Sequence, residues 1–346
     1  MKKVTDTAKV LLERYKALVE RYRKYDNNIF WCIFVTLLVY IFVSGFLGAY
    51  AFLWPLFKLF EWSDAMHFIL DFYTYTLASV VVLHAYCRIF KKNRFILRSF
   101  LPAGKKGRTY ATRVPEDAYE PARNNTVKML LLGIAIGFGT NFFCIACAML
   151  HGDIKFYFDF GPAQLPVLLF ALLSVFIQGS SEEMWMRSFL YERLSIHYPL
   201  WVGILVNGSL FGLLHMFNEG ATFFAVVLLV IDGVSYALVR WYSGSMWIMF
   251  GMHFMWNFTQ NFIFGLPNSG LVSEFSILHL DAANGVSNLI YDFDFGVECA
   301  LPSLIMSVLM GVIVLLLAKK NGRLSELRMS YEKRAALAAA EETQGI

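Results

Sequence analysis

The sequence predicts an all-α fold, a polytopic membrane helical bundle of about eight transmembrane helices with both termini cytoplasmic. Three observations carry that expectation. Hydrophobic residues are 58% of the chain and charged residues 16%, against about 45–50% and about 25% in an average soluble domain. Apolar runs of about 20 residues, enough to cross a hydrocarbon core roughly 30 Å thick, recur along nearly the whole length. When those runs are threaded from a cytoplasmic N-terminus, every Lys and Arg except Lys58 and Lys155 falls on the inner side, as the positive-inside rule requires.

The elements follow in order. Residues 1–28 form a charged amphipathic segment, with Leu11, Leu12, Tyr15, Leu18, Val19 and Tyr22 at helical spacing opposite Lys9, Arg14, Arg21 and Arg23, the pattern of an interfacial helix. Residues 29–128 hold two transmembrane helices (29–53 and 66–89) and a basic cytoplasmic loop broken by Pro102, Gly104, Gly107, Pro115 and Pro121. Residues 129–265 form the functional core, with spans at 129–150, 163–190, 199–217, 221–240 and 245–265. Residues 266–318 are an outer loop without Lys or Arg but with Glu274, Asp281, Asp292, Asp294 and Glu298, followed by a last span at 299–318. Residues 319–346 are a cytoplasmic tail with helical character.

The net charge of +4 points to contact with anionic membrane lipids through clusters such as Lys91, Lys92, Arg94 and Arg98. Nucleic acid is not an expected partner, because no aromatic-basic module is present. The first apolar run is too long for a cleavable signal and serves as its own. Five cysteines lie in or beside apolar spans, which does not suggest a disulfide framework, and Cys144-xx-Cys147 reads as small apolar packing within a helix. The sequon at Asn124 falls on the cytoplasmic side and those at Asn207 and Asn257 fall within spans, so none suits glycosylation. The chain is a multi-pass integral membrane protein, of the cell membrane in a bacterium or the endoplasmic reticulum in a eukaryote.

Ionisable groups inside spans cost about 2.5–3.5 kcal/mol each on the lenient insertion scale, so each marks a functional hypothesis. The fourth span holds Glu182, Glu183 and Arg187. Adjacent residues point about 100° apart on a helix, so one carboxylate faces a cavity while the other braces it. Glu183 and Arg187 are four apart with the acid N-terminal, the favourable order for an ion pair, which leaves Glu182 chemically free. The plain alternative is that all three form a structural salt-bridge network. His215 ends the fifth span, and His253 and Asn257 share a face of the seventh. A lone membrane histidine is commonly hydrogen-bonding glue; here Glu182 with His215 can polarise a water while His253 with Asn257 stabilises an oxyanion. Ser180, Ser181 and Ser188 lie near enough to leave a serine nucleophile open, and no HExxH zinc signature is present. Asp71, His84 and Asp232 are weaker candidates that line the cavity or pair within the bundle.

Counting along the spans puts His215 near an outer helix end, Glu182 inward of the midpoint and His253 on the inner side. Tilted or broken helices must bring them together, with Gly212 and Gly220 as loosening points.

Glu182-Glu183-xxx-Arg187, Phe211-xxx-His215 and His253-xxx-Asn257, in this order and on separate hydrophobic segments, resemble the CAAX prenyl endopeptidase type II and bacteriocin-processing (CPBP, or Abi) family over residues 163–260. The resemblance implies an all-helical intramembrane peptidase in which Glu182 is the base, His215 orients the water, His253 and Asn257 stabilise the oxyanion, and Glu183 and Arg187 support them. It allows a metal-independent glutamate mechanism, with no cofactor required, or a zinc ion held by Glu182, His215 and His253. The metal-independent form suits His253 better, since pairing with Asn257 makes it a donor. The substrate is a membrane-associated peptide, prenylated or leader-bearing. The alternative class is a catalytically silent scaffold or immunity-type protein that binds a peptide or membrane partner; a transporter is disfavoured by the lack of an inverted repeat. The sequence is silent on oligomeric state.

Overall fold

The computed structural model describes residues 13, 28–38, 55, 64–89, 96–97, 99–103, 124–282, 285–334 and 336–337. The amphipathic segment expected at 4–24, most of the first span and most of the basic loop lie outside them. Among the described residues, helices run as α1 (Ile29–Val35), α2 (Asp64–Ile89), α3 (Val127–His151), α4 (Leu165–Glu183), α5 (Tyr191–His197), α6 (Leu200–Leu214), α7 (Phe223–Ser243), α8 (Met246–Phe258) and α9 (Leu301–Lys320). Five continuous helical stretches are long and apolar enough to cross a membrane: Val127–His151, Pro162–His197, Leu200–Phe217, Phe223–Ser243 and Leu301–Lys320. They coincide with the third, fourth, fifth, sixth and eighth expected spans, and the chain is a multi-pass membrane protein. The seventh forms α8 as expected, but His253, Asn257, Gln260 and Asn261 make its stretch less apolar, and those four side chains are buried in protein rather than facing lipid.

Helix ends fall where capping chemistry places them. Thr126, Thr222 and Ser245 accept from the backbone N–H three residues on, at 3.3, 3.1 and 3.3 Å, opening α3, α7 and α8. Gly152 and Gly244 close α3 and α7 with left-handed backbone, φ 91° and 61°.

Small residues set the two closest helix contacts. A Cβ on Gly133 or Gly137 of α3 would overlap the carbonyl oxygens of Ile248 and Met252 on α8. A Cβ on Gly208 or Gly212 of α6 would come within 2.6 Å of the backbone nitrogens of Val234 and Val230 on α7. These small-xxx-small pairs let backbones touch where lipid offers no hydrophobic drive for association. They hold the His253 and His215 helices close in the bundle.

One end of the bundle is basic and tightly tied. Arg323 donates to the Tyr242 carbonyl at 2.9 Å, Trp241 Nε1 to Glu326 at 3.2 Å, and the Leu200 N–H to the Met329 carbonyl at 3.2 Å. The segment after α9 is therefore packed against the bundle through the short 3-10 helix Leu324–Arg328. At the other end the helical bundle carries one short pair of strands. Strands β1 (Ile154–Phe158) and β2 (Leu278–Ala282) pair antiparallel with Phe156 opposite Leu280. Five-residue strands sit below the length at which alternation is distinctive in a sequence dominated by apolar runs. The pairing turns the expected outer loop back onto the bundle, where Gly220 meets Asp294 and Asn218 donates to the Ser269 carbonyl at 2.9 Å.

Candidate active site

Glu182 and Glu183 are the last residues of α4, and the chain continues into α5 through a π-helical segment, Met184–Leu190. A π turn widens the helix and frees carbonyls from the α pattern, a departure common at functional sites. Here the Met186 carbonyl accepts from the Tyr191 N–H five residues on and from Asn207 Nδ2 of α6 at 2.6 Å. Asn207 thus pins the irregular turn that carries Arg187. From Trp185 to Ile196 every residue is buried in protein. The ion pair of Glu192 with Arg240 lies in this region, with both side chains almost fully enclosed.

Glu183 and Arg187 form a fully buried ion pair, Nη1 to Oε1 2.9 Å. The same Oε1 lies 2.8 Å from His253 Nδ1. Buried charges need such multiple partners to repay desolvation. The remaining guanidinium nitrogens have no hydrogen-bond acceptor, and the group lies against aromatic faces instead, 4.4 Å from the Phe211 ring centroid and 5.3 Å from that of Tyr236. Phe211 also contacts His215, with centroids 4.7 Å apart, and meets His253 edge-on at 6.3 Å. The ring of His253 rests on Gly179, where a Cβ would lie 3.3 Å from Cγ and Cδ2.

Glu182 is turned the other way. Its Oε1 accepts from Gln178 Nε2 at 2.5 Å and its Oε2 lies 3.7 Å from His253 Nε2. Gln178 Oε1 in turn accepts from Asn257 Nδ2 at 3.1 Å. His215 Nδ1 is 2.8 Å from the Phe211 carbonyl. A carbonyl can only accept, so Nδ1 carries the proton, and in the neutral ring Nε2 keeps its lone pair. Glu182, His215, His253, Asn257 and Gln178 line one cavity of about 100 Å³. The residues counted at different depths along the spans line one cavity, with a π turn following Glu183 and the 3-10 turn His215–Phe217 ending α6. Gly220, offered as a loosening point, instead makes a close turn against Asp294 with φ 72°.

Several lining residues were not singled out from sequence. Gln178 joins Glu182 to Asn257, and its position four residues before Glu182, on the same helix face, is the signal for it. Asn218, Asn268, Ser269 and Glu298 come from the turns beyond the helix ends. Glu298 is buried, accepting from Gln260 Nε2 at 2.5 Å, from Ser269 Oγ at 3.0 Å and from the Ser269 N–H. Gln260 is itself held by Asn141 Nδ2 at 2.7 Å and by the Pro267 carbonyl. Burial pushes the Glu298 carboxyl up to about 7, the hydrogen bonds opposing that rise. Asp232 lines the cavity and accepts from Ser307 Oγ at 2.8 Å. His84 does not reach it; it is exposed on α2 and accepts from Arg88 Nε at 3.2 Å. The Asp71 side chain lies outside the described residues. Ser180, Ser181 and Ser188 are not among the lining residues, and Ser188 is turned to Ser99 at 2.6 Å.

Among the described residues, no group of three or more His, Cys, Asp and Glu is placed to hold a metal ion. His253 turns Nδ1 to Glu183 and His215 turns Nδ1 to a backbone carbonyl, which leaves Nε2 of each ring free of these bonds.

The buried Glu183 and the part-exposed Glu182 are gathered with an arginine, two histidines and an asparagine inside a bundle of membrane-crossing helices. Residues 164–259 match the family model described as type II CAAX prenyl endopeptidase Rce1-like, which supports the CAAX protease family for this part of the chain. It is a protease of the CAAX endopeptidase type. No curated protein matches the chain.

Proposed function

We propose that the chain hydrolyses a peptide bond of a membrane-associated peptide, prenylated or leader-bearing, by a glutamate-activated water without a metal step. The observation that carries this reading is the division of labour between the paired acids. Glu183 is committed to Arg187 and His253, while Glu182 faces the cavity with one oxygen toward His253.

In the proposed reaction Glu182 takes a proton from water as the oxygen attacks the scissile carbonyl carbon, and the C=O electron pair moves onto oxygen. His215, with Nδ1–H fixed on the Phe211 carbonyl, offers Nε2 to orient that water. His253 presents Nδ1–H to the Glu183 carboxylate and, when doubly protonated, Nε2–H to the oxyanion; Asn257 offers a second donor from the same face of α8. Collapse of the tetrahedral intermediate breaks the C–N bond, and the protonated Glu182 returns its proton to the leaving amine. Glu183, Arg187 and Gln178 are positioning residues.

Purified protein in detergent, assayed on a fluorogenic prenylated peptide, tests this directly. Glu182→Ala and His215→Ala are expected to abolish cleavage, and a metal chelator to leave it unchanged. Full activity in Glu182→Ala overturns the reading; chelator sensitivity overturns its metal-free form.

A further inference from the structure

Beyond His215 part of the cavity wall is built from turns. The 3-10 turn after α6 ends at Asn218, and a tight hairpin spans Asn268 to Leu271. Asn218, Asn268, Ser269 and Leu271 line the same cavity as Glu182 and His215. In the hairpin the Asn268 N–H donates to the Leu271 carbonyl at 2.9 Å and the Leu271 N–H to the Asn268 carbonyl at 3.0 Å. Both central residues have left-handed backbone, Ser269 at φ 50° and Gly270 at φ 82°, as a type I′ turn demands. A Cβ on Gly270 would overlap the Glu219 carbonyl oxygen. Ser269 is the one non-glycine residue with positive φ among the described residues. Such a conformation persists where the surroundings impose it. Here every polar group of Ser269 is held: Glu298 accepts from its N–H and its Oγ, and Asn218 Nδ2 donates to its carbonyl at 2.9 Å.

The same bonds fix which way the cavity amides point. A carbonyl can only accept, so the Ser269 carbonyl takes Nδ2 of Asn218 and leaves Asn218 Oδ1 over. Asn261 Nδ2 donates to the carbonyls of Leu266 and Leu271 at 3.1 and 3.0 Å, so its Oδ1 is the atom that accepts from Asn268 Nδ2 at 3.2 Å. Asn268 is thereby oriented as well, with Oδ1 left over. Among the described residues neither oxygen meets a donor, and neither is sealed inside the protein.

Two oriented, unpaired acceptors at the wall of a cavity await donors from a ligand. Both are neutral amide oxygens, the same acceptor that a backbone carbonyl offers to an N–H. A peptide carries main-chain N–H groups on either side of its scissile bond whatever its side chains are. Asn218 lies three residues beyond His215, so a segment bonded there runs past the residue that orients the water.

We propose that Asn218 and Asn268 form a main-chain binding subsite, each accepting through Oδ1 from a backbone N–H of the peptide next to the cleaved bond. Ser269 and Glu298 are positioning residues that hold both amides in place. The peptide nature of the ligand rests on the endopeptidase reading; the two free acceptors rest on geometry alone.

Ester-substituted peptides test this without turnover. Full-length Glu182→Ala protein in detergent is titrated with a fluorescent prenylated peptide, and anisotropy gives Kd. The titration is repeated with peptides in which single amides flanking the scissile bond are replaced by esters, removing one N–H at a time. Two of the esters are expected to weaken binding about tenfold each, the scale of an acceptor left without its donor. With Asn218→Ala added, the penalty of one ester is expected to vanish while the other persists, and Asn268→Ala should reverse the pattern. An ester series without penalties overturns the proposal, as do penalties that both variants retain in full, or a parent peptide that does not bind. If one variant fails to fold, the other variant and the ester series still decide. Ester penalties of the expected pattern, together with a wild-type protein that leaves the peptide uncleaved, would overturn the endopeptidase reading and leave the subsite standing.

Discussion

Glu183 Oε1 lies 2.8 Å from His253 Nδ1 and 2.9 Å from Arg187 Nη1, so a single carboxylate oxygen fixes both the imidazole of α8 and the guanidinium of the π turn. Its neighbour in sequence, Glu182, shares none of these contacts except a 3.7 Å approach to the far side of the same ring. Adjacent residues on a helix diverge by about 100°, and that angle is what separates the two acids.

The separation predicts opposite behaviour for two neighbouring substitutions. Glu183→Ala strands a buried arginine, which costs about 3–5 kcal/mol, so its thermal unfolding in detergent is expected well below that of the wild type. Glu182→Ala removes a partly exposed side chain facing a cavity, and its unfolding temperature is expected near the wild-type value while cleavage is lost. Equal destabilisation of both variants would refute the division of labour.

Gln178 is expected to act on rate and not on binding. It donates to Glu182 Oε1 and accepts from Asn257, so it fixes the base and one oxyanion donor together. Gln178→Leu is predicted to lower kcat by roughly 100-fold, the scale of a lost preorganised donor, with KM changed little. Gln178→Asn, which keeps the amide but shortens its reach, should recover part of that loss. A variant whose KM rises while kcat holds would place Gln178 in substrate binding instead.

The sequence exposed the motif residues because a membrane makes every buried charge costly, so Glu182, Glu183, Arg187, His215 and His253 stand out from an apolar background. It also predicted that Glu183 would turn to Arg187, which the i,i+4 spacing decides. What it could not show is how the helices are broken. The π segment after Glu183 has no glycine or proline to announce it, and it is held by Asn207 from a different helix. Glu298 was visible as one acid among several in a Lys- and Arg-free loop, yet nothing local distinguishes it from Glu274 or Asp281. Its burial depends on Gln260 and on the β1–β2 pairing, contacts distant in sequence. The small residues at 133, 137, 208 and 212 were legible as a packing pattern only once the partner backbones were known.

Asn207 should be essential to the π turn. Its Nδ2 bonds the Met186 carbonyl at 2.6 Å in a fully buried setting. Asn207→Ala leaves that carbonyl with the Tyr191 N–H alone and opens a small void, a loss of about 1–3 kcal/mol. Thermal unfolding of the variant in detergent measures this, and faster amide hydrogen exchange is expected to be confined to the Met184–Leu190 segment. Unchanged exchange there would mean the turn holds itself.

Glu298 predicts how stability responds to pH. Its ordinary carboxyl value of 4.5 is pushed up to about 7 by burial, so the folded chain binds this proton more tightly than the unfolded chain does. The stabilisation from proton binding is therefore full below about pH 4.5 and is lost as pH rises through about 7, the opposite of an ion-paired carboxylate. The full swing is on the order of 3 kcal/mol at 1.36 kcal/mol per pKa unit. Glu298→Gln removes the titration while retaining an oxygen that accepts from Ser269. The difference in unfolding temperature between variant and wild type should thus move in favour of the variant from pH 5 to pH 8. Parallel pH profiles for Glu298→Gln and wild type would mean that Glu298 stays ionised throughout, with Gln260 and Ser269 fully compensating its burial.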